Sequence, residues 1–328
     1  MLNYNGRRFL DVCLESLLSQ ELDGGFEILV LDNGSSDGSV DHVRQRFSEV
    51  RALALDRNLG FAGAYNVGFA EAAGEHVVLL NNDTRARPGW LAALVRAAES
   101  DPRVGAVTSK LVFMHSPDTI QNAGGLLLTD GSGGDRGSGE PDRGQYERRE
   151  EVFAVCGAAV LLTRRMLEDV GGLDDSFFAY YEDTDLSWRM RLRGWKVLYE
   201  PAAVVEHVHS GTSTEWSPFF VFHVDRNRLF MILKNAPPGF VLKAFWGFGS
   251  RAARMSFLTL LGRPGPGGPT RPSRRPASRA RVRLQVVLSL ALHLPEMLAK
   301  RRRIRRGRRV ADAEIRRWLY PRELWDAR

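Results

Sequence analysis

Cysteine is scarce in this sequence. The chain of 328 residues contains two cysteines, Cys13 and Cys156, and each lies in an apolar stretch. Two cysteines so far apart form neither a disulfide framework nor a spaced set of zinc ligands. We therefore expect a protein of a reducing compartment, whose 44% of apolar residues are enough to form a packed core.

Long apolar runs are missing as well. A secretory signal needs an apolar core near the amino terminus, where this chain instead has the polar residues Asn3, Asn5, Arg7 and Arg8. Residues 284–299 form an apolar stretch of 16 positions that contains Pro295. This stretch is shorter than the roughly 20 residues that cross a bilayer. Together these absences favour a cytoplasmic protein.

Positive charge is concentrated near the carboxyl end. Residues 251–328 hold 21 basic and 5 acidic residues, a net charge of +16, whereas the other 250 residues carry −9. Because the apolar stretch is followed at once by the basic run 300–309, we expect an interfacial anchor on an anionic membrane surface. A solvated helix with a disordered basic tail is the alternative. Nucleic acid is not an expected partner, because no stacking platform or reader motif accompanies the arginines.

The first 115 residues alternate between predicted strands and predicted helices. Strands are predicted at 26–31, 50–55, 76–80, 104–107 and 111–114, and helices at 7–20, 39–47, 58–73 and 88–100. This order predicts an α/β fold with a doubly wound, mostly parallel sheet. Ligands of such sheets bind beyond the carboxyl ends of the strands, where Asp32 and Asp83 lie.

A glycine-rich segment interrupts the pattern at residues 129–144. It contains six glycines and no apolar side chain, which predicts a flexible surface loop. Long loops of this kind are usually lids or disordered segments. A simple surface insertion is the alternative.

Three carboxylates, those of Glu182, Asp183 and Asp185, lie at the start of a predicted helix that Gly194 ends. His207 follows a later apolar run. These groups could supply a general base and a metal ligand to one pocket. They could equally cap the helix and complement its dipole, with a structural histidine nearby.

Seven short motifs occur in an order that resembles the family 2 inverting glycosyltransferases of GT-A fold. The resemblance is strongest to the bacterial rhamnosyl- and galactofuranosyl-transferase-like branch, and it covers about residues 3–235. The motifs are Asn3-Tyr4-Asn5-Gly6, Asp32-Asn33-Gly34-Ser35, Asn58-Leu59-Gly60-Phe61-Ala62-Gly63, Leu80-Asn81-Asn82-Asp83-Thr84, Gly171-Gly172-Leu173-Asp174, Tyr181-Glu182-Asp183-Thr184-Asp185-Leu186 and His207-Val208-His209.

The resemblance implies a role for each matching residue. Asp183 is the expected base, and Glu182 is the other catalytic candidate. A divalent cation, Mg²⁺ or Mn²⁺, is the implied cofactor, with Asp83, His207 and Asn81 as its expected ligands and His209 as the fallback for His207. The donor nucleotide is expected to contact Asn3, Asn5, Asp32, Asn58, Gly63, Asn66 and Asn82.

The implied activity is inverting, metal-dependent transfer of a sugar from a UDP- or dTDP-linked donor. The acceptor would be a hydroxyl of a glycan or lipid-linked molecule in cell-surface polysaccharide synthesis, reached from the inner face of the plasma membrane. A protein of the same fold that binds nucleotide sugars without catalysis is the alternative function. Asp83, Asp183 and His207 match the family's motifs, and their presence favours an enzyme over the non-catalytic protein.

The chain departs from the family pattern in two places. Asn81 stands at the first position of the DxD-like motif, where it brings no charge. Family members open with a buried strand before Asn3, and here only Met1 and Leu2 correspond to it, so we expect a missing upstream segment. The expected organisation is a GT-A domain with a nucleotide-binding half and an acceptor half (1–212), a helical acceptor-side or membrane-proximal segment (213–261), a linker (262–280) and a basic amphipathic helical tail (281–328).

Overall fold

The computed structural model describes residues 1–208, 216–260 and 276–327, with side chains throughout except at 251–260 and 276–280. The strands are β1 (Leu2–Asn3), β2 (Ile28–Asp32), β3 (Val50–Ala54), β4 (His76–Leu80), β5 (Thr84–Ala86), β6 (Val104–Phe113), β7 (Ser116–Asn122), β8 (Gly125–Leu128), β9 (Gly133–Asp135), β10 (Glu150–Glu151), β11 (Ala159–Thr163), β12 (Lys196–His207) and β13 (Leu319–Tyr320). The helices are α1 (Arg7–Leu18), α2 (Ser39–Arg46), α3 (Gly60–Glu71), α4 (Trp90–Ala98), α5 (Arg164–Val170), α6 (Glu182–Arg193), α7 (Pro218–Asn235), α8 (Pro238–Leu260), α9 (Pro276–Gly307), α10 (Asp312–Arg316) and α11 (Arg322–Asp326).

The first three strands build a parallel sheet. Strands β1, β2 and β3 pair in parallel, with Asn3 opposite Asp32 and Asp32 opposite Ala54. Helix α1 buries its apolar face against this sheet, since Leu10, Cys13, Leu14 and Leu17 recur at helical spacing. The carboxyl ends of these strands therefore meet at one edge of the sheet, as the alternation of elements predicts.

The second sheet is mixed. Strands β12 and β6 run parallel, whereas β11 pairs antiparallel with both β6 and β4, and β5 pairs antiparallel with β12. Parallel pairing is thus complete in the β1–β3 sheet, whereas antiparallel strands predominate in the second sheet. The two strands predicted at 104–107 and 111–114 form one strand, β6.

The glycine-rich segment 129–144 is not the flexible loop predicted from its composition. It contains β9, which pairs antiparallel with β8, and its main chain is tied to the sheet from Ala123 N to Arg136 O at 2.8 Å. Asn122 Nδ2 also donates to Asp135 Oδ1 at 2.6 Å. The glycines form the turns of this segment. Because it has no apolar side chains to pack, it is held in place by strand pairing and by these polar contacts.

The basic carboxyl-terminal region packs on the rest of the protein. Helix α9 runs through Pro295 without a break and buries Val286 and Met297 against α7 and α8. The Arg301 guanidinium donates to the carbonyls of Leu233 and Ala236, which end α7. Part of the predicted linker, 276–280, is helical, and the rest of it lies outside the described residues, as do His209 and 213–215.

A buried ion cluster joins α6, α7 and the turn before α6. The Lys234 ammonium is 1% exposed, donates to Asp185 at 2.9 Å and also contacts Asp174. Asp185 further accepts from Arg189 at 2.9 Å and from Asn235 at 2.8 Å. Asp185 is therefore a structural residue, although it belongs to the acidic cluster that the sequence singled out.

We expect Lys234→Met to lower the free energy of unfolding by about 1.5–3 kcal/mol, because it removes the buried cation that bridges Asp174 and Asp185. Asp174 keeps its contact with Lys300, and Asp185 keeps its contact with Arg189. Lys243→Met is the matched control, since Lys243 is exposed on α8, and it should change stability by less than about 0.5 kcal/mol. Urea unfolding of both variants measures this. Equal stability of the two variants would show that the cluster does not hold these elements together.

Candidate active site

The carboxyl ends of β1, β2 and β4 are joined by buried polar side chains. Asn3 Nδ2 donates to Asp32 Oδ2 at 2.8 Å, and Asn3 Oδ1 accepts from Asn82 Nδ2 at 2.6 Å. Asp32 Oδ1 accepts from the amide of Ser35 at 2.8 Å. Gly6 lies against this network, and a Cβ there would stand 1.9 Å from Asn82 Nδ2. Three predicted donor-binding residues thus form one rigid polar edge.

Two asparagines shape the start of α3. Asn58 Oδ1 accepts from the amide of Gly60 at 2.8 Å and from Asn33 Nδ2 at 2.9 Å. Asn33 Oδ1 in turn accepts from the amide of Leu59 at 2.8 Å. Asn33 lies in a motif quoted for the family resemblance but was not among the predicted site residues. It aligns the glycine-rich start of α3 with the end of β2.

The other predicted donor-binding residues are Asn5, Gly63 and Asn66, and none of the hydrogen bonds described for them joins the Asn3–Asp32–Asn82 network. Asn5 Oδ1 accepts from the amide of Ser36 at 2.9 Å. Gly63 lies in the first turns of α3. Asn66 donates to Leu173 O and accepts from Leu173 N, at 2.8 and 2.9 Å, and also contacts Asp175. The amide of Asn66 therefore holds the turn before α6 against α3.

Asp83 and His207 meet at the end of the second sheet. The His207 Nε2 atom lies 3.1 Å from Asp83 Oδ1, and both side chains are buried. Strand pairing brings them together, because Thr84 is opposite His207 in the β5–β12 ladder. The other ring nitrogen, Nδ1, lies 3.0 Å from Gln121 Oε1. A ring proton on Nδ1 directed at Gln121 leaves the Nε2 lone pair facing the carboxylate.

This donor pair fits a divalent cation. A lone pair on Nε2 and a carboxylate oxygen at 3.1 Å are two acceptors, and they need a cation or a proton between them. No cluster of three or more histidine, cysteine, aspartate or glutamate side chains suited to a metal occurs in the described part of the chain. Asn81 lies next to the pair in sequence and bridges Leu2 through its backbone. A cation here would need ligands from water or substrate as well.

Asp183 and Glu182 lie at the start of α6 in different environments. Asp183 is half-buried and accepts from the amides of Gly157 at 3.0 Å and Thr184 at 2.6 Å. Burial raises its pKa above the usual range. Glu182 is 6% exposed, and its Oε2 is buried without a hydrogen-bond partner. Burial, and then the charge of Asp183, raise the pKa of Glu182 well above its usual value.

The backbone just before Glu182 is strained. Positive φ values, which residues other than glycine rarely adopt, occur at Phe178 (63°), Tyr180 (70°) and Tyr181 (70°). Strain of this kind persists only where the surroundings over-determine it, and it clusters at functional sites. Gly60 makes room for this loop, since a Cβ on it would stand 2.5 Å from Phe178 O.

Helix α7 holds the strained loop in place. Asn227 is fully buried, and its Nδ2 lies 2.8 Å from each of three loop carbonyls, those of Phe177, Ala179 and Tyr180. Arg226 donates to the carbonyl of Phe177 at 3.0 Å. Sequence reasoning missed both residues. The available signal was the run of four polar residues at 225–228 between two apolar stretches of the helix.

Aromatic rings surround this loop. His223 stacks on Phe178 with 5.6 Å between ring centroids, and Phe219 lies 4.4 Å from His223. Burial, followed by the charge of Arg226, lowers the pKa of His223 to about 4. The imidazole is therefore neutral at physiological pH and forms part of the aromatic wall around Phe178.

Residues 1–171, more than half of the chain, match the model of the family described as Glycosyl transferase family 2. The chain belongs to this family. The buried strand-end network and Asp83 lie within the matched residues, whereas Asp183 and His207 lie beyond them.

Several characterised and uncharacterised proteins are similar to this glycosyltransferase. It is 32% identical over 225 residues to the N-acetylglucosaminyl-diphospho-decaprenol L-rhamnosyltransferase of Mycobacterium tuberculosis. The aligned region covers 61% of this chain and 72% of that protein. It is 31% identical over 218 residues to an uncharacterised protein of Sinorhizobium fredii, y4gI, with 62% of this chain covered. The match spans only 23% of the Sinorhizobium protein.

Solved structures confirm the GT-A fold expected from the motifs. The structure of GalNAc-T7 with UDP, GalNAc and Mn²⁺ matches with a TM-score of 0.61 at 15% identity, over 87% of this chain and 53% of that one. The mannosyltransferase PcManGT of Pyrobaculum calidifontis, in complex with GDP-Man and Mn²⁺, matches with a TM-score of 0.51 at 16% identity, over 89% and 85%. At these identities the likeness concerns the fold.

We expect Asn227→Ala to lower kcat by about 10²-fold, because a small displacement of the loop before α6 misaligns Asp183 in the first turn of that helix. The dissociation constant of the donor should stay within twofold, since the strand-end network is untouched. Steady-state kinetics and calorimetric titration separate the two effects, and a thermal melt confirms folding. An unchanged kcat in the folded variant, or a parallel loss of donor affinity, would contradict a positioning role.

Proposed function

We propose that this protein is an inverting, metal-dependent glycosyltransferase that moves a sugar from a UDP- or dTDP-linked donor to a hydroxyl of a lipid-linked or glycan acceptor. The observation that carries the proposal is the arrangement of two acidic sites in one GT-A fold. Asp83 faces His207 at the strand ends, and Asp183 stands at the start of α6 under a strained, anchored loop.

The donor would lie across the carboxyl ends of the parallel strands. Asp32, Asn3 bonded to it and Asn82 bonded to Asn3 present a preformed polar edge that suits a ribose or a base. A divalent cation held by Asp83 and His207 would neutralise charge on the leaving diphosphate. Asn81, which lies two residues before Asp83 and carries a neutral amide oxygen, is a further candidate ligand.

Asp183 would act as the base. The acceptor hydroxyl oxygen forms a bond to the anomeric carbon as the bond from that carbon to the diphosphate oxygen breaks, and the hydroxyl proton passes to the Asp183 carboxylate. One displacement of this kind inverts the anomeric centre. The raised pKa of Asp183 supports the role, because a base titrating nearer to neutral pH accepts a proton more readily.

Two observations support a lipid-linked acceptor: the printed name of a relative and the exposed apolar side chains of α8 and α9. The printed name of the Mycobacterium relative specifies rhamnosyl transfer to a diphospho-decaprenol carrier. In this chain, α8 and α9 expose large apolar side chains: Leu242, Trp246, Leu284, Leu288 and Leu292. Residues Arg281–Gly307 form a helix that is long and apolar enough to cross a membrane. Only 17% of its apolar 18-residue window is buried inside the protein. Exposed arginines follow on α9, so we propose that this face rests on the inner leaflet of the plasma membrane.

A direct test of the function offers the enzyme dTDP-rhamnose or UDP-sugars with an N-acetylglucosaminyl-diphospho-polyprenol and Mg²⁺ or Mn²⁺. The proposal expects a glycosylated lipid with an inverted anomeric centre. Nucleotide-sugar binding without transfer to any acceptor of this class would instead favour the non-catalytic alternative.

We expect Asp183→Asn to lower turnover by roughly 10²–10⁴-fold while donor affinity is kept, because the amide cannot take the acceptor proton. The matched variant is Glu182→Gln, which is isosteric with a protonated carboxyl group and should lose less than tenfold. Turnover and donor binding are measured for both. A larger loss of turnover in Glu182→Gln than in Asp183→Asn would show that Glu182, and not Asp183, is the base.

We expect excess chelator to abolish transfer, and Asp83→Ala or His207→Ala to weaken metal-dependent donor binding by about 10–100-fold, because each removes one ligand. His76→Gln is the control, since His76 lies at the opposite end of β4. Titration of the donor at several Mn²⁺ concentrations measures the effect. Full activity in chelator, or equal losses in the control, would remove these residues from the metal site.

We expect the protein to sediment with anionic vesicles and to lose part of this binding in high salt, which screens the arginines. Truncation near residue 262 is a poor probe, because α9 packs on α7. The double change Leu288→Asp and Leu292→Asp alters only exposed side chains and should reduce binding at least tenfold. Leu324→Asp on α11 is the control. Equal binding of both variants would disprove the docking face.

A further inference from the structure

Helix α9 reaches the amino end of the strained loop that precedes α6. The Lys300 ammonium donates to Asp174 Oδ1 at 2.5 Å and to Ser176 Oγ at 2.6 Å. Ser176 Oγ in turn donates to Glu296 Oε1 at 2.7 Å, and Glu296 lies one helical turn before Lys300, 2.5 Å from its ammonium. Two side chains of α9 thus hold two side chains of the loop, and we call these four residues the α9 clamp.

Asp174 and Ser176 set the shape of this end of the loop. Asp174 caps the 3₁₀ turn Asp175–Phe177, since its Oδ1 accepts from the amide of Ser176 at 3.1 Å. Burial alone would raise the pKa of Asp174, but the charge of Lys234 and the hydrogen bonds from Lys234 and Lys300 hold it below the usual range. The buried carboxylate is therefore ionised, and its place is set by one lysine from α7 and one from α9.

The other end of the loop is held by α7 and leads directly to the proposed base. Asn227 donates to the carbonyls of Ala179 and Tyr180, and Asp183 follows in the first turn of α6. The positive φ values lie between these two points of attachment. Because strained backbone persists only where its surroundings over-determine it, release of the amino end would let the loop relax and would displace the start of α6.

Helix α9 has contacts of its own that do not involve the clamp. Arg301 donates to the carbonyls of Leu233 and Ala236 at 2.6 and 2.8 Å, and Met297 is fully buried. The Lys300 side chain, by contrast, is 28% exposed, and its ammonium contacts the loop. A substitution at Lys300 can therefore remove the contact with the loop while α9 stays packed on α7.

We propose that Lys300 and Glu296 are positioning residues for catalysis, which hold the amino end of the loop so that Asp183 stands in its productive place. The inference rests on the proposed role of Asp183 as the base. It gives the basic carboxyl-terminal region a second role beside attachment to lipid, because the helix that exposes apolar side chains also fixes this loop. Both residues lie outside residues 1–171, which match the family.

The test removes the clamp from each side. Lys300→Met keeps the aliphatic stem and loses the charge, Lys300→Arg keeps the charge, and Ser176→Ala removes the hydroxyl from the loop while leaving α9 unaltered. Arg303→Met is the matched control, because Arg303 is exposed on the same helix and its loss removes the same charge.

Four properties are measured on each full-length variant. Transfer from dTDP-rhamnose or UDP-sugars to an N-acetylglucosaminyl-diphospho-polyprenol is followed with Mn²⁺ in detergent, so that attachment to vesicles does not contribute to the rate. Donor titration, sedimentation with anionic vesicles and hydrogen exchange of residues 177–184 complete the set. A thermal melt confirms that each variant is folded.

Lys300→Met should lower kcat by about 10–100-fold and speed exchange at 177–184 by about tenfold, while the dissociation constant of the donor stays within about twofold. Lys300→Arg should recover kcat to within about threefold, since it keeps a charged donor. Ser176→Ala should lose about three- to tenfold, and the double variant should lose no more than Lys300→Met alone, because both changes break one contact. Arg303→Met should match the unaltered protein in rate and exchange, and its vesicle binding should equal that of Lys300→Met.

Equal kcat in Lys300→Met and Arg303→Met would overturn the proposal, and so would unchanged exchange at 177–184. Losses that multiply in the double variant would refute a shared contact. Absence of transfer by the unaltered protein would count against the proposed function, whereas exchange at 177–184 would still decide whether α9 holds the loop.

Discussion

The anchoring of the loop before α6 is the interaction on which the candidate active site depends. Phe178, Tyr180 and Tyr181 have positive φ, and such strain costs on the order of 1–3 kcal/mol at each position. Asn227 on α7, hydrogen-bonded to three carbonyls, and the α3 amide of Phe61, which donates to Phe178 O, keep the loop in this form. The loop in turn fixes the first turn of α6 and hence Asp183. Because α9 packs on α7, the basic carboxyl-terminal region supports the same site indirectly.

The polar network at the strand ends is the second constraint. Asn3 accepts from Asn82, which follows β4, and donates to Asp32 at the end of β2, and all three side chains are buried. The first strand therefore couples the two sheets at the edge where the donor is proposed to bind.

The sequence predicted the features that local pattern controls. Alternating strands and helices, the helix that starts at Glu182 and ends at Gly194, and the GT-A fold are all confirmed. Features set by tertiary contacts were missed. The glycine-rich segment is ordered by pairing between β8 and β9, and Asn227 acts on a loop about 48 residues earlier, which no local pattern reveals. The roles of Asp83, Asp183 and His207 came from motif resemblance and stay predictions.

The central claim is that Asp83 and His207 hold a cation at the donor diphosphate while Asp183 faces the acceptor side. Anomalous diffraction from crystals grown with Mn²⁺ and a nucleoside diphosphate tests it most directly. We expect one manganese peak between Asp83 and His207, in contact with the diphosphate, and none at Asp183. A manganese peak bound by Asp183 or Glu182, with Asp83 and His207 still in contact with each other, would contradict the account.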